Sequence, residues 1–294
     1  MVGIGGPTLG GSYKTPLSLA FARAMTETGV RVAIAAHGHA GTVRSARRVL
    51  PEDDAREVGD DAAWLARDGN ELGISVFVGR HRSETVALGA RHARLVVADA
   101  LLQASPQRLW LSILSVDART PWGSGLCPPA GDLRARKSAL IAATDVLVAV
   151  TSDESRDAAM LADLESWALR AGKRFFFVRS SLSAASAATG RDVPLSPLAA
   201  CRVGLVLAIA RPERVTTALA EQGIVPAAIR LFPDHSVPPR PANVRVDAWL
   251  TTPKCATKLG SSYGGAPLVV LRQRLTLPDG LVGVAPVGSA AASP

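Results

Sequence analysis

The chain has 294 residues, enough for one large domain or two modest ones, and its 48% hydrophobic and 20% charged residues exclude a disordered polymer. Three scattered cysteines (Cys127, Cys201, Cys255) exclude a disulfide scaffold or zinc ribbon, and no apolar run nears the ~20 residues of a membrane span. The net charge of +8, with 28 arginines against five lysines, points to an anionic membrane surface or a phosphorylated molecule, while 4% aromatic residues argue against nucleic acid.

Short β-branched runs alternate with longer Ala/Leu/Arg-rich stretches, the signature of an α/β fold with a mostly parallel sheet. A strand at 1–4 leads into a Gly-rich segment and a helix over 16–28, closed by Gly29. There follow a strand at 30–35, a helix over 61–66, a strand at 74–78, a helix over 82–93 and a strand at 95–98. Beyond these the pattern predicts strands at 109–116, 146–150, 175–178 and 204–209, with helices over 132–143, 155–171 and 212–222. The Ser/Ala/Gly/Pro-rich stretch 180–197 is expected to be a linker that divides a core of residues 1–190 from a smaller α/β lobe of residues 191–294. Residues 285–294 are expected to fray, and no basic stretch followed by an apolar run suggests a secretory leader.

The segment Thr8-Leu9-Gly10-Gly11-Ser12-Tyr13-Lys14-Thr15-Pro16 lies between the first strand and the first helix. A Gly-rich turn at a helix N-terminus aims backbone N–H groups at a phosphate, Lys neutralises it and Thr binds Mg²⁺. Tyr13 stands where a phosphate loop ordinarily has glycine, so a Cβ occupies a position that needs backbone freedom. A strand–helix turn without a ligand is the alternative. Asp60 and Asp61 follow Val58-Gly59, and on extended backbone their side chains would point opposite ways; they equally suit a helix N-cap pair. His235 follows Phe232-Pro233-Asp234 and can be a turn histidine. His37, His39, His81 and His92 match no metal spacing and read as structural or solvated.

Six segments taken in order resemble the tetraacyldisaccharide 4'-kinase family, which phosphorylates a lipid A disaccharide precursor with ATP and Mg²⁺. They are TLGGSYKTP at 8–16, VGDD at 58–61, VGRHR at 78–82, PAGDLR at 129–134, RPER at 211–214 with FPDH at 232–235, and LTTPK at 250–254. The resemblance implies a P-loop NTPase-like fold with a second, smaller α/β lobe. It implies phosphates held by Thr8, Gly10, Gly11, Ser12, Tyr13, Lys14 and Thr15, and Mg²⁺ held by Thr15, Asp61 and Asp99. Asp60 and His235 would activate the sugar hydroxyl, and Arg80 and Arg134 would meet phosphates or the anionic substrate. The implied partners are an acylated disaccharide lipid and, peripherally, the anionic cytoplasmic face of the inner membrane; a cytoplasmic protein is the other placement.

Several positions depart from the family pattern. The acidic motif D-D-G-F-Q-H reads Asp99-Ala100-Leu101-Leu102-Gln103-Ala104, the Glu after P-L-R is Ala135, and Pro253 and Cys255 replace acidic residues. The family's hydrophobic N-terminal segment has no counterpart, so either the true start lies upstream or the protein docks differently. With Tyr13, these changes make a catalytically silent nucleotide- or lipid-binding homologue the alternative reading.

Overall fold

The computed structural model describes residues 1–104, 109–240 and 244–284. In chain order the elements are β1 (Val2–Gly5), α1 (Lys14–Glu27), β2 (Val32–Ala35), β3 (Arg47–Val49), α2 (Ala55–Val58), α3 (Asp60–Asn70), β4 (Ser75–Val78), α4 (Arg82–His92), β5 (Leu95–Asp99) and β6 (Leu111–Asp117). Then come α5 (Lys137–Ala142), β7 (Val146–Thr151), α6 (Glu154–Arg170), β8 (Arg174–Ser186), β9 (Asp192–Val193) and β10 (Val203–Leu207). The chain continues through α7 (Glu213–Glu221), β11 (Ala228–Leu231), β12 (Ala248–Thr251), α8 (Pro253–Leu259), β13 (Ser262–Tyr263), β14 (Ala266–Thr276) and α9 (Asp279–Gly283).

One sheet runs through the whole chain in the order β11-β10-β12-β14-β8-β7-β6-β1-β5-β2-β4-β3. Pairing is parallel except between β3 and β4 and between β8 and β14 along this path. Strands β1, β2, β5, β6 and β7 are buried along their length, which is why β1, β2 and most of β5 and β7 read as apolar runs, while β6 buries Ser112 and Ser115 among its apolar residues. β1 lies between β5 and β6, so the chain leaves its C-terminal end where the strand order reverses direction, the place where open α/β sheets bind ligands. One core cluster joins α1 and α3 to the β1–β5 side, through Leu17, Phe21, Met25 and Leu65. A separate cluster around Leu205, Leu207, Leu219 and Leu250 supports the C-terminal strands.

Three expectations need correction. Residues 180–186, read as the start of a linker, belong to the thirteen-residue strand β8. Their small Ser and Ala side chains fit a strand paired along Arg179–Ser186 with β14, which sequence reading did not place. The helix expected over 132–143 begins only at Lys137. Asp132 and Arg134 spend their backbone on the phosphate loop instead: Leu9 N–H donates to Asp132 O at 2.9 Å and Arg134 N–H to Pro7 O at 2.7 Å. Asp60 and Asp61 are helical, not extended. Gly59 turns the chain at φ 89° and the pair opens α3, where two carboxylates meet the positive end of the helix dipole. The expectation for residues 285–294 falls outside the described residues.

Candidate active site

A cleft of about 680 Å³ opens between the end of β1 and the segments that follow β10, β11 and β12. Gly10, Gly11, Ser12, Tyr13, Lys14 and Thr15 line one wall and Asp61, Asp234, His235 and Lys254 another. Thr8 is buried behind the loop.

The loop has a defined shape because its carbonyls are spoken for. Arg134 Nε donates to Thr8 O at 3.0 Å and Arg134 Nη2 to Leu9 O at 3.2 Å. Thr8 Oγ1 donates to Gly10 O at 2.7 Å, Arg214 Nη1 to Gly11 O, and Ser115 Oγ to Ser12 O at 2.7 Å. Thr8 Oγ1 has one proton, so at 2.6 Å Ser12 Oγ is the donor to it. With the carbonyls of residues 8–12 all engaged by side chains and the Leu9 N–H given to Asp132 O, the N–H groups of residues 10–15 are the ones left to meet an anion. Tyr13 takes the left-handed conformation itself, at φ 56° and ψ 17°, as the cap of α1. A tyrosine there carries the strain that glycine avoids, of order 1–2 kcal/mol. The Arg214 guanidinium lies 5.2 Å from the centroid of its ring.

Lys14 is the first residue of α1. Burial, then the like charge of Arg134, pushes its ammonium down to about 8 against the pull of Asp99 and Asp61. Thr15 Oγ1 donates to Asp99 Oδ2 at 3.0 Å, and Ser18 Oγ, one turn further along α1, donates to Asp99 Oδ1 at 2.8 Å. Asp99 ends β5 and is buried. Ala100 after it has φ 57°, a conformation that Asp tolerates better than Ala.

On the facing wall, Asp60 is 2% exposed and three groups hold it. His235 Nδ1 lies 2.9 Å from Oδ1, Lys258 Nζ donates to Oδ2, and Asp61 N–H donates to Oδ1 at 2.9 Å. Burial alone would push the Asp60 carboxyl up, but His235, Lys254 and Lys258 together hold it well below the ordinary carboxylate range. An ionised Asp60 fixes the proton of His235 on Nδ1 and leaves Nε2 as a hydrogen-bond acceptor. Nε2 faces Lys254 Nζ at 3.2 Å. His235 has φ 64°, and Lys258 Nζ donates to its carbonyl at 2.7 Å, so the same lysine secures both members of the pair. Lys254 is also 3.5 Å from Asp61 and 3.2 Å from Asp234. Burial pushes the Asp61 carboxyl up, aided by the charges of Asp60 and Asp99 against the opposing pull of Lys254.

Among the described residues, Asp60, Asp61 and His235 have ligand atoms within 4.8 Å of one another. Asp60 and His235 are bonded to each other, which leaves Asp61 as the carboxylate of this group open to a cation. Hard oxygen donors from Asp61, Thr15 and Asp99 suit Mg²⁺.

The structure therefore brings Lys14, Thr15, Asp61, Asp99, Asp60, His235 and Arg134 to one region, although Asp60 and His235 are 175 residues apart. It does not bring Arg80, which is exposed after β4 and does not line the cleft. Arg82 is occupied with Ala35 O and Asp99 O at 2.7 and 2.8 Å. His37 and His39, read as structural or solvated, line the cleft, and the His39 ring lies 4.4 Å from that of His235. Lys258 escaped sequence reading. Its signal was the spacing of Lys254 and Lys258, two of the chain's five lysines at i and i+4, hence on one face of a helix.

No helix among the described residues is long and apolar enough to cross a membrane. The family model for tetraacyldisaccharide-1-P 4'-kinase matches residues 1–281. A tetraacyldisaccharide 4'-kinase of Dichelobacter nodosus is 28% identical over 95% of this chain and 81% of its own. One from Chromobacterium violaceum is 32% identical over 88% and 74%. The crystal structure of LpxK from Aquifex aeolicus in complex with ATP superposes with a TM-score of 0.73 at 21% identity, covering 96% of this chain and 86% of that one, a likeness of fold. The phosphate loop, the acidic pair at the head of α3 and the FPDH histidine thus occur together in a chain matched almost end to end, and the chain belongs to the tetraacyldisaccharide-1-P 4'-kinase family.

Proposed function

We propose that this chain carries out its family's reaction, transfer of the γ-phosphoryl group of ATP to the 4'-hydroxyl of a tetraacyldisaccharide 1-phosphate, with the residues of the cleft in the following roles. Phosphoryl transfer asks a protein mainly to position its reactants and to stabilise charge. Lys14 and the N–H groups of residues 10–15 bind the phosphates. Thr15, Asp61 and Asp99 would hold Mg²⁺, which would supply neutralisation of charge on the phosphates when bound. His235 Nε2 takes the proton of the acceptor hydroxyl, entering where Lys254 now faces it. Asp60, too enclosed to touch the acceptor, keeps Nδ1 protonated and stabilises the imidazolium that results. Lys254 and Lys258 hold the Asp60 carboxylate ionised. The phosphate-loop groups come from residues 1–190, and of the acceptor-side groups Asp60 also does, whereas His235, Lys254 and Lys258 come from residues 191–294.

The observation that carries this reading is the bond of 2.9 Å between His235 Nδ1 and Asp60, across the cleft from a phosphate loop whose carbonyls are all engaged. Tyr13, one of the departures that favour a silent homologue, takes the left-handed conformation that a glycine at this position could adopt. Transfer of label from γ-labelled ATP to a tetraacyldisaccharide 1-phosphate tests the proposal. Labelled product that disappears in a D60N variant is the expected result, and tight Mg-ATP binding without product would refute it. The substrate's acyl chains and the net charge of +8 support peripheral contact with the anionic cytoplasmic face of the inner membrane.

A further inference from the structure

The phosphate loop is held from outside by a segment of the C-terminal lobe. A Cβ on Gly11 would meet Arg211 Cδ at 2.6 Å and Arg214 Nη1 at 3.1 Å, and one on Gly10 would meet Ala210 Cβ. Both glycines therefore admit residues 210–214 against the loop, in addition to freeing its backbone. Arg214 enters furthest. Its side chain is 15% exposed, it donates to Gly11 O, it pairs with Asp117 at the end of β6, and its guanidinium lies by the Tyr13 ring. Arg211 beside it bonds Thr120 Oγ1 at 2.8 Å and Asp132 Oδ2 at 2.7 Å, closing the same seam.

Gly11 is the least constrained link of the loop, because at φ 68° without a Cβ it can reverse the following peptide at little steric cost. In a trans peptide the carbonyl and the N–H point opposite ways. When Arg214 holds Gly11 O, it also fixes the direction of the Ser12 N–H. A reversed peptide would present a carbonyl oxygen where the loop needs a donor. The four neighbouring carbonyls are held by Arg134, Thr8 and Ser115, all from residues 1–190. Gly11 O is the one held from the other lobe.

We propose that Arg214 is a positioning residue for nucleotide binding: it clamps the Gly11–Ser12 peptide in the anion-binding orientation, so that seating of the C-terminal lobe completes the ATP site. This rests on the reading of the loop as an ATP site. Its charge-assisted bond to a part-buried carbonyl makes the R214A variant lose about 10–100-fold in Mg-ATP affinity, with the KM for the disaccharide moved less than about threefold. R214K reaches Gly11 O or Asp117 but not both, and loses about 3–10-fold. E221Q removes the interlobe pairs of Glu221 with Arg119 and Arg156, at 2.6 and 2.7 Å, without touching the loop. It serves as the control for lobe packing and stays within about twofold.

The experiment is calorimetric titration of the full chain and these variants with Mg-ATP, together with KM for both substrates. R214A within about threefold of wild type, or E221Q as impaired as R214A, would overturn the proposal. If R214A does not fold, R214K carries the test, and wild-type affinity in R214K would overturn it. Wild-type protein that binds no Mg-ATP refutes the kinase reading itself, whereas wild-type binding with R214A and R214K unaffected refutes the clamp alone.

Discussion

Burial in the phosphate loop, followed by the like charge of Arg134, lowers the Lys14 ammonium from 10.5 to about 8, so this lysine titrates within reach of ordinary buffers. Phosphates bind the charged form, and binding raises the lysine's affinity for its proton. With a free-state value of about 8, Lys14 is about nine-tenths charged at about pH 7 and about one-tenth charged at about pH 9. Mg-ATP affinity should therefore fall about tenfold over that interval, and binding at about pH 8 should take up about half a proton. Titration calorimetry in two buffers of different ionisation heat reads the uptake directly. Lys14→Arg should abolish both effects, because a guanidinium stays charged throughout. The unliganded protein shows the opposite trend. Between the folded value near 8 and the unfolded value of 10.5 the unfolded chain binds more protons, so this group's contribution to stability rises with pH across that window. An affinity that is flat from about pH 7 to about pH 9, or that slopes equally in the Arg variant, would refute the assignment of Lys14 to the phosphates.

Three further outcomes are expected. His235→Asn, chosen because Asn tolerates the residue's φ of 64°, should lower kcat about 10²–10⁴-fold with Mg-ATP affinity unchanged, and an unchanged kcat would remove the histidine from the reaction. Lys258→Met strips a nearly enclosed carboxylate of one cation but leaves His235 and Lys254, so a loss near the low end for broken buried pairs, about 3 kcal/mol, should lower Tm by roughly 6–12 °C at neutral pH. The depressed Asp60 carboxyl stabilises the fold above the unfolded value of 3.8 and loses that contribution as pH falls toward its folded value; melting curves of wild type and variant should converge in acid, and a gap independent of pH would count against the pairing. Asp99→Asn keeps only one acceptor oxygen for Thr15 and Ser18, so the Mg²⁺ concentration for half-maximal rate should rise about tenfold, and an unmoved Mg²⁺ titration would exclude Asp99 from the metal site.

The central strands were legible in the sequence because burial on both faces favours Val, Ile, Leu and Ala, as in the VLVAV that opens β7. Helices α1, α6 and α7 announced their ends by Gly29, Gly172 and Gly223, each with positive φ. Strand β11 exposes Ile229 and Leu231 and so carries no such mark, whereas β14 does hold a short buried run at 268–271, too brief beside the Arg272-Gln273-Arg274 that follows it to stand out. The site residues were legible one by one through the family's motifs, but their bonding was not. That Asp60 is enclosed by His235 and Lys258, and that Arg134 bonds loop carbonyls, depends on contacts between segments more than a hundred residues apart.

Strand β8 pairs with β7 along Arg174–Arg179 and with β14 along Arg179–Ser186, so a single rod of backbone is shared by the nucleotide side and the acceptor side. A joint of this kind resists folding like a door. Any relative movement of the two halves would have to be spread as extra coil in the sheet rather than gathered at a hinge. Product departure would then work by a slight unwinding of the whole scaffold, and changes that stiffen the Ser and Ala run of β8 would slow turnover from a distance.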